Sequence, residues 1–61
     1  ADRLFIKAGE PVSVRMTSLI GAVVYTGKNI TSIDCTSFSA GMYLLTIESK
    51  GKYYTTKVQI D

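Results

Sequence analysis

Few residues of this chain carry side chains suited to catalysis, and they form no complete set. The sequence has no histidine, the side chain that most often serves as a general acid or base near neutral pH. Its five carboxylates are dispersed, and Asp34 has no second carboxylate nearby. Nucleophile–base pairs, metal-ligand spacing and glycine-rich phosphate loops are also absent from the sequence. We therefore expect no enzymatic activity, no catalytic residue, no cofactor and no metal.

Cys35 is the only cysteine, so it cannot form an internal disulfide and the fold must be stable without one. Two roles are open to it, a small buried apolar residue or a reactive thiol. A reactive thiol needs a basic neighbour that favours the thiolate, and the absence of histidine makes the buried role the better interpretation.

Length and composition restrict the class of protein. A chain of 61 residues fits one domain, and an apolar fraction of 46% supports folding over disorder. The net charge of +2 comes from basic residues scattered along the chain, which disfavours nucleic acid as a partner. No apolar run approaches the ~20 residues of a membrane-spanning helix, and the given residues open on a strand-like run instead of a signal peptide, so we expect no direct membrane insertion. The chain begins at Ala1 and is interpreted as a piece of a longer protein.

Apolar residues recur with a period of two, the period of β-strands. Two N-terminal strands are indicated by apolar residues on one face: Leu4, Ile6, Val12, Val14 and Met16. A short strand over residues 22–26 is expected to end at the turn signal of residues 27–29, where Asn29 suits a turn better than glycosylation. Another strand is expected over residues 30–35.

The last two predicted strands, residues 42–48 and 52–60, are joined by a tight turn in which Gly51 can adopt positive φ. Their alternation places one set of side chains inward: Tyr43, Leu45, Ile47, Tyr54, Thr56, Val58 and Ile60. Short strands separated by frequent turn signals predict an all-β, Ig-like antiparallel sandwich of about six to seven strands, without helices. Tyr43 and Tyr54 are expected to meet across the two strands and to contribute mainly to packing.

Three motifs, in order, resemble those of a known family. The first, residues 16–24, consists of an apolar strand end, then Leu-x-Gly, then two apolar residues. The second, residues 33–47, begins with an apolar residue followed by Asp and contains a Gly-x-Tyr that opens a strand. The third, residues 51–58, resembles the pattern Gly-Lys-x-Tyr-Thr-x-Lys-Val. With these motifs the chain resembles the type A C-terminal sorting domain of the type IX (Por) secretion system over nearly its whole length. Its opening residues resemble the strand that comes directly after the family's first segment, so the resemblance implies a single domain, 1–61, that lacks its first few residues.

The resemblance implies a secretion signal. The parent protein would cross the inner membrane, fold in the periplasm and be recognised by type IX translocon components and an outer-membrane shuttle protein. A cell-surface sortase would usually remove the domain and attach the mature protein to anionic lipopolysaccharide at the cell surface. The matched motifs supply the candidate recognition residues: Gly41, Tyr43, Gly51, Lys52, Tyr54, Thr55, Lys57 and Val58.

Local physical roles account for several of these candidates, because glycines suit turns and tyrosines suit packing. Lys52, Thr55 and Lys57 are harder to explain by packing, and they belong either to a solvated face or to a recognition strip. If the last strand is an edge, a receptor can add its own strand there. Missing first residues would expose a further unpaired edge and favour a homodimer of the isolated domain.

The alternative function is a generic sandwich module that binds carbohydrate or protein at the cell surface, because a fold does not dictate one function. Sugar-binding sandwiches tend to expose aromatic patches. Here the sequence offers only Tyr25 and Tyr53 as outward tyrosines, and it has no tryptophan.

Overall fold

The computed structural model describes residues 3–61. Six strands account for most of them: β1 (Arg3–Phe5), β2 (Val12–Ser18), β3 (Val23–Ile30), β4 (Ser32–Asp34), β5 (Gly41–Ser49) and β6 (Lys52–Ile60). The described residues contain no helix, so the all-β prediction is confirmed. None of them, accordingly, lies in a helix that could span a membrane.

The strands form two antiparallel sheets of unequal size. The large sheet has the order β3-β2-β5-β6, which leaves β3 and β6 at its edges. The small sheet consists of β1 and β4, paired over three residues each. This arrangement is that of a small sandwich, as the sequence predicted.

The core lies where the small sheet covers the centre of the large one. Alternate residues of β2 are almost fully buried, and Ile33 and Cys35 meet them from the opposite side. Leu4 and Ile6 pack partly against the same cluster. The period-two assignment of inward residues is therefore confirmed for β1, β2, β4 and β5.

The bounds of the third and fourth strands were predicted wrongly. The third strand does not end at residue 26 but continues to Ile30, because Asn29 adopts φ 58° in a bulge. The pairing with β2 shifts at this point, from Val12 opposite Ile30 to Val14 opposite Gly27. The extra residue increases the twist and lets Ile30 pack on the core, so these turn-forming residues interrupt the ladder without ending the strand. The fourth strand is shorter than predicted, covering only residues 32–34.

Two expectations about tyrosines were also wrong. Tyr43 pairs with Val58 and Tyr54 pairs with Ile47, which separates the two rings along the sheet. Tyr43 instead contacts Phe38, with ring centroids 5.9 Å apart. Tyr25 does not face solvent as a carbohydrate-binding tyrosine would, since it is half-buried and meets Phe38 edge-on at 6.1 Å.

The domain boundary stays a prediction. It concerns the opening of the chain, and Ala1 and Asp2 lie outside the described residues. From Arg3 onward, one core cluster contains residues of both sheets.

Candidate functional site

The free edge of β6 is the clearest unpaired backbone surface among the candidate residues. β6 pairs with β5 through a two-residue turn in which Lys50 and Gly51 both have positive φ, 53° and 78°. In such a hairpin the flanking residues, Ser49 and Lys52, exchange hydrogen bonds, and the bonded pairs then alternate. The N–H and C=O groups of the odd-numbered β6 residues therefore point away from β5, toward the free edge.

The same odd-numbered residues place their side chains on the outer face of the large sheet. We call these four residues the outer strip: Tyr53, Thr55, Lys57 and Gln59. All four are exposed, and the Thr55 hydroxyl lies 3.2 Å from that of Thr46 on β5. The strip thus combines free backbone groups with accessible polar and aromatic side chains.

The structure separates the eight candidate recognition residues into groups. Gly41, Tyr43 and Val58 lie at the core end of the β5–β6 hairpin, and Gly51 forms its turn. Thr55 and Lys57 belong to the outer strip. By alternation, Lys52 and Tyr54 lie on the opposite side of β6. The expectation that Lys52 shares a face with Thr55 and Lys57 was therefore wrong.

Fold requirements explain the Gly-x-Tyr motif. Gly41 has φ 150°, a conformation that other residues rarely adopt. Tyr43 is 8% exposed and donates a hydrogen bond of 2.7 Å from its hydroxyl to the carbonyl of Ser39. The motif therefore anchors the link before β5 to the core, and the part-buried tyrosine hydroxyl has a hydrogen-bond partner.

Asp34 organises the same link, a role that the sequence motifs did not suggest. Its Oδ1 accepts hydrogen bonds from the backbone N–H of Thr36 at 3.0 Å and from the Thr36 hydroxyl at 2.8 Å. The backbone bond is the largest cause that lowers the pKa of Asp34 below its ordinary 3.8, followed by the hydroxyl bond and the charge of Arg3. An aspartate followed two residues later by threonine was the available signal for this turn.

A pH-dependent loss of stability follows from this turn. Because folding lowers the pKa of Asp34, its contribution is present above pH 3.8 and is lost as pH falls through the lower folded-state value. We expect the stability difference between the wild type and Asp34→Ala to shrink as pH falls from 7 to 2. Urea unfolding at a series of pH values measures this difference, and a constant difference would contradict the assignment.

Cys35 and the carboxylates of the described residues show no arrangement suited to chemistry. The Cys35 side chain is buried, and its Sγ donates to the carbonyl of Ile33 at 3.6 Å. Residues 3–61 contain no group of three or more metal-ligating side chains. The geometry therefore fits the small buried role for Cys35.

The comparison with protein families identifies the chain. The model of the family described as "Secretion system C-terminal sorting domain" matches residues 1–61, the whole chain. The chain belongs to this family. Searches of curated proteins and of solved structures found no match. Membership makes the chain a type IX C-terminal sorting signal, which implies interaction with the type IX machinery and export across the outer membrane to the surface or medium. This is not an enzyme family.

Proposed function

We propose that the folded domain is recognised in the periplasm by the type IX translocon and an outer-membrane shuttle protein, which together export the parent protein. After export, a cell-surface sortase removes the domain and attaches the mature protein to the surface. Family membership over the whole chain is the observation that carries this proposal. The accessible β6 edge supports recognition of a folded domain, because it is available without unfolding.

The proposed contact is strand addition at β6. A receptor strand would bond to the free backbone groups of the outer strip, while Thr55 and Lys57 supply side-chain selectivity. Lysine on an edge strand also discourages pairing with arbitrary strands, which suits a surface reserved for one partner. The glycine, tyrosine and valine candidates act through the fold that presents this edge. We also propose that the isolated domain forms a homodimer through an unpaired strand edge.

A reporter fusion tests the sorting function. The chain is joined to the C-terminus of a reporter that carries a signal peptide, and the fusion is expressed in a bacterium with a functional type IX system. We expect the reporter at the cell surface or in the medium, and in the periplasm of a matched strain without the translocon. Periplasmic retention in both strains would contradict the proposal.

Substitutions at Thr55 test strand addition at β6. The N–H of Thr55 points to the free edge, so proline removes a donor for a receptor while sparing the ladder with β5. We expect Thr55→Pro to reduce export of the reporter at least tenfold, while Thr55→Val retains most of it. Thermal unfolding of both purified variants checks that they fold. Normal export of a folded Thr55→Pro variant would refute this contact.

A further inference from the structure

An apolar groove of about 650 Å³ lies on the inner side of β6. Its walls are β1 with the segment after it, through Ala8, and the inner face of the β5–β6 hairpin. The side chains most relevant to binding are Leu4, Ile6, Ile47, Tyr54 and Val58. The groove is therefore a second surface, distinct from the one proposed for sorting.

The groove exists because the small sheet is too narrow to cover the large one. Ile60 and Leu45 are buried in the core, but Tyr54, on the same side of β6 as Ile60, is 58% exposed. Thr56, between Tyr54 and Val58 on that side, is exposed as well. Side chains of β6 alternate as they do in a strand with one buried face. Over the first half of β6, however, no strand covers that inner face.

The backbone beside the groove has N–H and C=O groups that point away from β4 and can bond to an added strand. The N–H of Ile6 donates to the carbonyl of Thr31, so Ile6 and, by alternation, Leu4 bond toward β4. The N–H and C=O groups of Phe5 and Lys7 then point to the other side of β1. Residues of β1 line the groove whereas those of β4 do not, so this other side faces the groove.

The charges at the groove have one sign. Lys7 and Lys57 line it, and no carboxylate among residues 3–61 does. The Lys57 side chain belongs to the outer strip, which leaves Lys7 as the cation beside an added strand. We propose that the groove binds an extended segment of a partner protein in which apolar and acidic residues alternate. The segment adds a third strand beside β1, its apolar side chains cover Tyr54 and Val58, and its carboxylates, on the alternate face of that strand, pair with Lys7. The site is independent of the β6 edge and of export.

The length of the site defines a suitable probe. The β1 wall runs from residue 4 to residue 8. An extended segment of about seven residues spans this wall with one residue to spare at each end, at about 3.3 Å per residue. The probe is an acetylated and amidated peptide in which glutamate alternates with valine. The control peptide has lysine in place of each glutamate.

Two-dimensional NMR titration of the 61-residue chain tests the proposal. We expect the glutamate peptide to shift the amide signals of Phe5, Lys7 and Tyr54, and to bind at least fivefold more tightly than the lysine peptide. Raising the salt concentration should weaken its binding, because Lys7 is exposed to solvent. Equal affinity for both peptides, or shifts confined to the outer strip, would overturn the proposal.

Two adjacent tyrosines provide matched variants. Tyr54→Ser removes an apolar wall of the groove, and we expect it to weaken peptide binding at least fivefold. Tyr53→Ser makes the same change on the outer face, where the ring is 69% exposed, and should leave the affinity unchanged. An equal effect of both variants would overturn the assignment. A concentration-dependent dimer that shifts the Tyr54 signal without peptide would also overturn it, since a second copy would then occupy the groove.

Discussion

Replacing Ile33 with alanine is expected to remove most of the domain's free energy of unfolding, so that a large fraction of the molecules is unfolded at 25 °C. Ile33 is fully buried and comes from β4, so its side chain joins the small sheet to the large one. Truncating a buried isoleucine to alanine costs about 2–5 kcal/mol. A single core of this size rarely supplies more than about 3–5 kcal/mol, so little stability would remain. Urea unfolding followed by circular dichroism measures the loss.

Ile20→Ala is the matched control, because it makes the same chemical change at a side chain that is 92% exposed. We expect its free energy of unfolding to stay within about 0.5 kcal/mol of the wild type. A similar loss for both variants would show that Ile33 has no special place in the core. Fused to the reporter, Ile33→Ala also shows whether export requires the folded domain, as we propose.

Two substitutions of Tyr43 should separate its packing from its hydrogen bond. Tyr43→Ala removes a buried ring that contacts Phe38, and we expect a loss of about 3–5 kcal/mol. Tyr43→Phe keeps the ring and removes only the hydroxyl bond to Ser39, for an expected loss of about 0.5–1.5 kcal/mol. Thermal unfolding distinguishes the two, since each kcal/mol shifts the Tm of so small a domain by about 4–8 °C.

Export of the reporter by these variants distinguishes a role of Tyr43 in the fold from direct recognition by a receptor. If Tyr43 acts through the fold, Tyr43→Phe should support normal export of the reporter at temperatures well below its Tm. Loss of export by a folded Tyr43→Phe would instead show that the hydroxyl is read by a receptor. Tyr54→Ala is the control for the loss of stability. It should cost much less than Tyr43→Ala, since Tyr54 is 58% exposed and pairs with Ile47, away from Phe38.

Much of the fold was predictable because antiparallel strands bury alternate residues. Val12, Val14 and Met16 indicate a buried face whichever strand covers them, since the period of two depends only on the pleat. The β5–β6 hairpin was equally clear, because a glycine at its turn and alternation on both sides are local signals. Family membership was likewise carried by local motifs at fixed spacing, and the family comparison confirmed it.

The features that the sequence could not show depend on contacts between distant segments. The Gly27–Asn29 segment has turn composition, yet pairing with β2 turns it into a bulge that carries β3 on to Ile30. Alternation placed Tyr54 on the inner face correctly, but only the width of the small sheet decided that this ring stays exposed. The partner of Tyr43 was likewise a tertiary matter, because Phe38 lies in a link without periodicity.

The candidate site divides in the same way. The sequence by itself determined that the last strand carries Thr55 and Lys57 on one face and apolar residues on the other, because side chains alternate in any strand. Only the tertiary structure decided that β6 is an edge, that its free backbone groups belong to the outer strip, and that a groove opens behind it. The physical reason is that sheet order and coverage depend on which strands meet, and one strand's residues do not specify its neighbours.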